Sequence, residues 1–151
     1  MECLGSIIFN AGKVDITDPC YDRKVWCRIN DVEIEKGEYG CYYELSDDDR
    51  VAMICIEKVG EMCLDQKWER YGSIGVDAGL AGFFEDKPDY SDEEWYKVCD
   101  KIFAEEKDSG LDVHLWENGF FSSSGYGDGD YDVFCNKNRE GKIVGLKIVF
   151  L

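Results

Sequence analysis

Apolar and polar residues alternate along much of the chain, which is the period of a β-strand with one buried face. The alternation is clear over residues 24–29 and 38–45, while residues 50–56 are apolar on both faces and are predicted to form a central strand. The other predicted strands are short: residues 6–9, 13–17, 32–35, 73–77, 111–116, 131–135 and 142–151. We expect the chain to open with a hairpin across residues 10–12 and to close with another across residues 136–141.

One segment follows the helical period instead. Ser91 and Glu94 match a capping box, in which each side chain bonds the backbone amide of the other residue. The apolar residues that follow lie on one stripe at helical spacing: Trp95, Val98, Cys99, Ile102 and Phe103. Gly110 suits the left-handed cap at the end. The pattern predicts an amphipathic helix at about 91–108 whose stripe packs on a sheet.

Many short strands, a single long helix and no alternation of strands with helices together indicate the α+β class. The expected architecture is a β-rich antiparallel sheet or sandwich carrying one long amphipathic helix. A length of 151 residues fits a single globular domain spanning residues 1–151. Residues 148–151 are all apolar, so we expect the C-terminal end to be paired inside the sheet.

The chain is strongly acidic. Its 33 acidic and 17 basic residues give a formal net charge of −16, which disfavours direct binding to nucleic acid, because that affinity comes from cations that neutralise phosphates. Two interpretations remain open: a solvated surface that keeps the protein in solution, or an acidic decoy for a nucleic-acid-binding enzyme. The acids are scattered, apart from the run at residues 47–49.

Cysteine usage points to the cytoplasm. The chain has eight cysteines, but it lacks a Cys-x-x-Cys pair, and its first residues do not resemble a signal peptide. We interpret the cysteines as free thiols in a reducing compartment and predict no structural metal and no cofactor. An apolar run near 18 residues is also missing, so we expect no membrane association.

The strongest candidate site is a glycine-rich loop within residues 120–132, where two aromatics run into serines and three glycines. Glycine permits tight turns and close approach of another group. Asp128 lies in this loop, and two further aspartates, Asp18 and Asp77, stand beside other predicted turns. Tyr126 and Tyr131 offer ring faces to a flat ligand such as a nucleotide.

Complete catalytic motifs are missing from these turns. Asp128, Asp130 and Asp132 begin like a calcium loop, but the glycine and glutamate that such a loop requires next are replaced by other residues. The glycine loop matches neither common phosphate-binding motif. His114 is the only histidine and lies in a predicted strand, with no serine elbow nearby. A pair of carboxylates, Asp77 and Asp128, leaves a metal-assisted hydrolase as an alternative.

The segment of residues 124–131, followed by residues 138–146, resembles a family of uncharacterised bacterial and phage proteins with the signature Ser-Gly-x-Gly-Asp-Gly-x-Tyr. Residues 76–83 and 18–21 resemble two further blocks of that family. Asp130 departs from it, since members often have an uncharged residue there. The resemblance implies a single domain, supplies no catalytic residues, and suggests an inhibitor or ligand sponge of bacterial immunity as family context.

The sequence therefore favours a soluble, cytoplasmic, non-enzymatic binding protein for a small, nucleotide-like ligand or a protein partner. The alternatives are the hydrolase and the acidic decoy. The predicted ligand-binding residues are Asp18, Asp77, Gly79, Ser124, Tyr126, Asp128 and Tyr131. We expect the three aspartate-bearing turns to converge in one pocket.

Overall fold

A computed structural model describes residues 1–61 and 67–151. The helix is α1 (Asp92–Ser109). The strands are β1 (Glu2–Phe9), β2 (Lys13–Thr17), β3 (Ile29–Glu33), β4 (Gly37–Leu45), β5 (Val51–Lys58), β6 (Glu69–Val76), β7 (Leu80–Phe84), β8 (Val113–Trp116), β9 (Gly119–Ser123), β10 (Gly129–Lys137) and β11 (Ile143–Val149). The predicted β-rich α+β class is confirmed.

The strands form two antiparallel sheets. The larger sheet has the order β1-β4-β5-β11-β10-β6, and the smaller one has the order β3-β2-β7-β9-β8. Strand β5 lies between β4 and β11, as expected for a central strand, and β10 with β11 forms the predicted closing hairpin. Three layers result: the larger sheet, the smaller sheet and the helix.

Two apolar clusters hold these layers together. The main core lies between the sheets and includes the fully buried rings of Phe9, Tyr39, Phe83 and Phe120. A smaller cluster joins the other face of the smaller sheet to the helix, through Leu80, Phe84, Phe121 and Ile102 with Trp95, Val98 and Trp116 around them. Alternation along β7 and β9 explains both clusters, because neighbouring residues of a strand point to opposite faces.

The helix begins and ends where its caps predict. The Ser91 hydroxyl accepts a hydrogen bond from the Glu94 amide at 3.2 Å, and the Glu94 carboxylate accepts one from the Ser91 amide at 3.1 Å. Gly110 ends the helix with a φ of 73°. The prediction that Phe103 belongs to the buried stripe is wrong, since 65% of this residue is exposed. Ile102 makes the contact with the sheet, and Phe103 lies about 100° further round the helix.

The predicted opening hairpin is also wrong. Strand β1 pairs with β4 in the larger sheet, whereas β2 pairs with β3 and β7 in the smaller one. The turn at residues 10–12 therefore crosses between the sheets. Ile7 of β1 and Ile16 of β2 are both buried in the main core, so the same alternation fits two strands that face each other across a sandwich.

Three other local predictions need correction. Residues 24–28 belong to the connection between β2 and β3 rather than to a strand, and the strand predicted at 32–35 is β3, Ile29–Glu33. The glycine loop is shorter than expected because residues 120–123 belong to β9, which pairs with β7. Small residues here serve close packing: a Cβ on Gly82 would lie 2.2 Å from the Phe120 carbonyl oxygen.

Candidate functional site

The β6–β7 turn and the β9–β10 turn meet at one end of the sandwich. Val76, the last residue of β6, pairs with Gly129, the first residue of β10. Asp77 and Asp128 are the next residues beyond this pair, so they leave the ends of two adjacent strands. We call the surface formed by residues 77–79 and 126–128 the acidic tip.

A third turn supports the acidic tip from below through Asp18, which is fully buried. One carboxylate oxygen accepts a hydrogen bond from the Cys20 amide at 2.9 Å, and the other accepts from the amides of Asp77 at 2.9 Å and Ala78 at 2.6 Å. Burial raises the pKa of Asp18, although the three amide hydrogen bonds act in the opposite direction. Asp18 therefore positions the tip and does not face a ligand.

The glycine loop is fixed by bonds to its own backbone and to the neighbouring turn. The Ser124 amide donates to the Gly79 carbonyl at 3.0 Å, and the Ser124 hydroxyl donates to the Gly127 carbonyl at 2.7 Å. The Tyr131 hydroxyl lies 3.0 Å and 2.5 Å from the carbonyl oxygens of Ser124 and Gly127. Gly79 and Gly127 have φ values of 70° and 116°, which glycine adopts most readily. Ser124 and Tyr131 thus shape the loop from inside.

Three of the predicted site residues face solvent: Asp77, Tyr126 and Asp128. The Tyr126 ring is 71% exposed and lies 4.3 Å from the Arg50 guanidinium, measured to the ring centroid. Its hydroxyl donates to the Asp48 carboxylate at 3.4 Å. The acidic run at residues 47–49 therefore lies beside the tip.

Trp26 is a further exposed aromatic that the sequence pattern did not single out, with 90% of its surface open. The carbonyl of the adjacent Cys27 accepts a hydrogen bond from the Gly75 amide at 2.9 Å, two residues before Asp77. A Cβ on Gly75 would lie 3.5 Å from the Asp130 carboxylate. The backbone next to Trp26 is thus bonded to β6 close to the tip. The alternation of residues 24–29 predicts a strand at Trp26, whereas the structure has a connection between strands there.

The side chains of Asp77, Tyr126 and Asp128 at the acidic tip are exposed to solvent. Four depressions whose walls the structure describes include neither Asp77 nor Asp128. One of them, of about 350 Å³, is lined by Tyr131 and Asp130 among other residues. Within residues 1–61 and 67–151, no three His, Cys, Asp or Glu side chains are grouped so that they would hold a metal ion. The arrangement offers two exposed carboxylates at the ends of two adjacent strands.

The histidine belongs to a separate polar network between the helix and the smaller sheet. His114 is buried, and its ring nitrogens lie 2.6 Å from the Asp112 carboxylate and 2.9 Å from the Glu105 carboxylate. The Trp116 indole donates to the same Glu105 at 2.8 Å. Burial opposes protonation of the ring, but the two carboxylates outweigh it and raise the pKa of His114. This network joins the helix to the smaller sheet.

The buried cysteines do not supply a nucleophile. Cys41, Cys55 and Cys135 are buried in strands of the larger sheet and are free thiols. Burial raises the pKa of all three, that of Cys41 to about 12, so these thiols stay protonated at neutral pH. Cys63 lies outside the described residues.

Among the described residues, no helix is both long and apolar enough for a membrane span.

Comparison of the chain with protein-family models, with curated proteins and with solved structures found no match. The resemblance to a family of bacterial and phage proteins therefore stays a prediction that rests on the quoted sequence blocks.

Proposed function

We propose that this chain is a non-enzymatic binding protein that covers a basic surface of a partner protein with its acidic tip. The observation that carries the proposal is the meeting of three turns at one end of the sandwich. The buried Asp18 carboxylate holds the amides of Asp77 and Ala78, and the pairing of Val76 with Gly129 sets the exposed Asp77 and Asp128 side by side. Exposed carboxylates beside an exposed tyrosine suit contact with another macromolecule, whereas small ligands are usually held in concave sites.

The composition of the surface supports a protein partner. Tyr126 and Trp26 are 71% and 90% exposed, and aromatic side chains of these two types are enriched among the residues that dominate binding energy at interfaces. Asp77, Asp128 and Asp130, at the adjacent ends of β6 and β10, are also exposed. Carboxylates at the rim of an interface mainly accelerate association with a surface of opposite charge, so a basic partner fits best.

The rigidity of the tip supports the same function. Backbone hydrogen bonds to Asp18, Ser124 and Tyr131 hold the turns from inside. Preorganised loops lose little conformational entropy on binding, which raises affinity. The acidic decoy is the form of this function that the overall charge of −16 favours.

A matched pair of triple variants tests the proposal. The tip variant Asp77→Asn/Tyr126→Ala/Asp128→Asn removes two negative charges and one tyrosine that is 71% exposed. The control variant Tyr96→Ala/Asp100→Asn/Glu106→Gln removes the same charge and a tyrosine that is 69% exposed, on the outer face of the helix. Circular dichroism verifies that both are folded.

Each protein is immobilised and exposed to an extract of the cells that express it naturally, and bound proteins are identified by mass spectrometry. We expect a basic protein that the wild type and the control retain and that the tip variant loses, with binding that weakens as salt rises from 50 to about 300 mM. Capture of the same proteins by the wild type and the tip variant would contradict the proposal.

A further inference from the structure

A groove lies at the opposite end of the sandwich from the acidic tip. It is lined at the start of β2 by Lys13, at the end of β10 by Lys137, and by Lys36 and Lys142 from the connections that meet there. Its volume is about 960 Å³, within the range of sites for small molecules. We call it the lysine groove. Strands β2 and β10 both connect the end of the sandwich that carries the lysine groove to the end that carries the acidic tip.

The groove brings four lysines together in an acidic protein. Four of the 17 basic residues line it, although the whole chain has a net charge of −16. Within the described residues, Lys13, Lys36 and Lys142 make no ion pair within 4.0 Å, whereas Lys137 lies 3.7 Å from the Glu69 carboxylate. Three of the four lysines therefore have no ion-pair partner among the residues that the structure describes.

Three carboxylates also line the groove, and two of them already have cationic partners. Asp31 forms an ion pair with Arg23 at 2.5 Å, and Glu35 forms one with Lys58 at 3.0 Å. Glu33 is the cross-strand neighbour of Lys13 and offsets that one lysine. Lys36 and Lys142 are thus the groups best placed to bind an anion.

An aromatic ring completes the wall. Tyr71 lines the groove and is 42% exposed. It is the extra residue of a β-bulge, because Gly72 pairs with Val133 and Arg70 pairs with Phe134, which leaves Tyr71 between two successive pairs. A bulge redirects a side chain relative to its sheet. Below the lysines the floor is apolar, formed by Ile34 and Ile143.

From these features we propose that the lysine groove binds a nucleoside polyphosphate. Lysine ammonium groups bind phosphate oxygens through charge-assisted hydrogen bonds, and their flexible stems adapt to a chain of phosphates. The Tyr71 ring stacks against the base, which is the contact that aromatic residues make with nucleotide bases. This site is independent of the acidic tip.

Isothermal titration calorimetry with ATP, tripolyphosphate and adenosine tests the proposal on the full chain. The variant Lys36→Gln/Lys142→Gln is compared with Lys97→Gln/Lys107→Gln, which removes the same charge from exposed positions on the helix. We expect the groove variant to bind ATP and tripolyphosphate at least about tenfold more weakly than the wild type, and the control to bind within about twofold. No binding of ATP to the wild type at millimolar concentration, or equal losses in both variants, would overturn the proposal.

The variant Tyr71→Ala separates recognition of the base from recognition of the phosphates. This variant should lower the affinity for ATP by about tenfold and leave the affinity for tripolyphosphate unchanged. Unchanged ATP affinity would overturn the nucleoside part of the proposal and leave a site for inorganic polyphosphate. The tip variant Asp77→Asn/Tyr126→Ala/Asp128→Asn should bind ATP as the wild type does, so the two proposals fail separately.

Discussion

The buried carboxylate of Asp18 accepts a hydrogen bond from the backbone amide of Ala78 at 2.6 Å, across 60 residues of sequence. The same oxygen accepts from the Asp77 amide at 2.9 Å. One side chain at the end of β2 therefore fixes the turn between β6 and β7, and with it the exposed carboxylate of Asp77. Three aspartates lie beside turns in the sequence, but they have different roles in the fold. Asp18 is buried and bonds backbone amides, whereas Asp77 and Asp128 are exposed.

Asp18→Ala should destabilise the protein by about 2–4 kcal/mol, because three backbone amides lose their acceptor in a buried place. Urea unfolding followed by circular dichroism measures this change. Asp77→Asn is the control: its side chain is exposed and only its backbone amide bonds Asp18, so its free energy of unfolding should change by less than about 0.5 kcal/mol. Equal stability of Asp18→Ala and the wild type would refute the anchoring role.

Stability should fall as pH rises through the pKa of His114. The pKa of this group is raised in the folded protein, because carboxylates of Asp112 and Glu105 bond its ring. The protonated ring therefore stabilises the fold fully below its unfolded pKa of about 6.5, and this contribution is lost at higher pH as the folded pKa is passed.

Since His114 is the only histidine, its proton resonances report the folded pKa directly by NMR. Urea midpoints at pH 6 and pH 8.5 give the effect on stability, and His114→Gln should flatten the difference between them. A folded pKa at or below about 6.5 would contradict this prediction.

Two adjacent helix residues should differ sharply in their effect on stability. Ile102 is 4% exposed and packs in the cluster beneath the helix, so Ile102→Ala should cost about 2–4 kcal/mol. Phe103 is 65% exposed, and Phe103→Ala should change the free energy of unfolding by about 0.5 kcal/mol or less. Thermal or urea unfolding compares the two variants, and similar losses in both would show that the helix is docked through another face.

Deletion of residues 148–151 should unfold the protein. Ile148 is fully buried and pairs with Val133 on one side and Ile54 on the other, and the Phe150 amide donates to the Ala52 carbonyl at 2.8 Å. The truncated chain should lack a cooperative thermal transition. Removal of Leu151 alone, which is 47% exposed, serves as the control and should leave the transition nearly unchanged. A melting temperature equal to that of the full chain after the longer deletion would place the C-terminal end outside the core.

The sequence by itself determined the elements whose signals are local. The capping box at Ser91 and the glycine at position 110 bound the helix to within a residue, because caps act on neighbouring amides. The alternation of residues 38–45 located β4, and the continuous apolar run located β5 at the centre of its sheet. Glycine and aspartate marked the turns that form the acidic tip, because these residues suit the backbone of tight turns.

Only the tertiary structure decided which strands pair and which groups face solvent. Alternation fits a hairpin and a crossing between two sheets equally well, so β1 and β2 were wrongly paired, and the exposure of Trp26 and Phe103 depends on what else covers the core. The roles of the aspartates were also undetermined: Asp18 is buried because distant amides reach it, while Asp77 and Asp128 are exposed at adjacent strand ends. The lysine groove joins residues from Lys13 to Lys142, and contacts over such separations leave no trace in any short stretch of sequence.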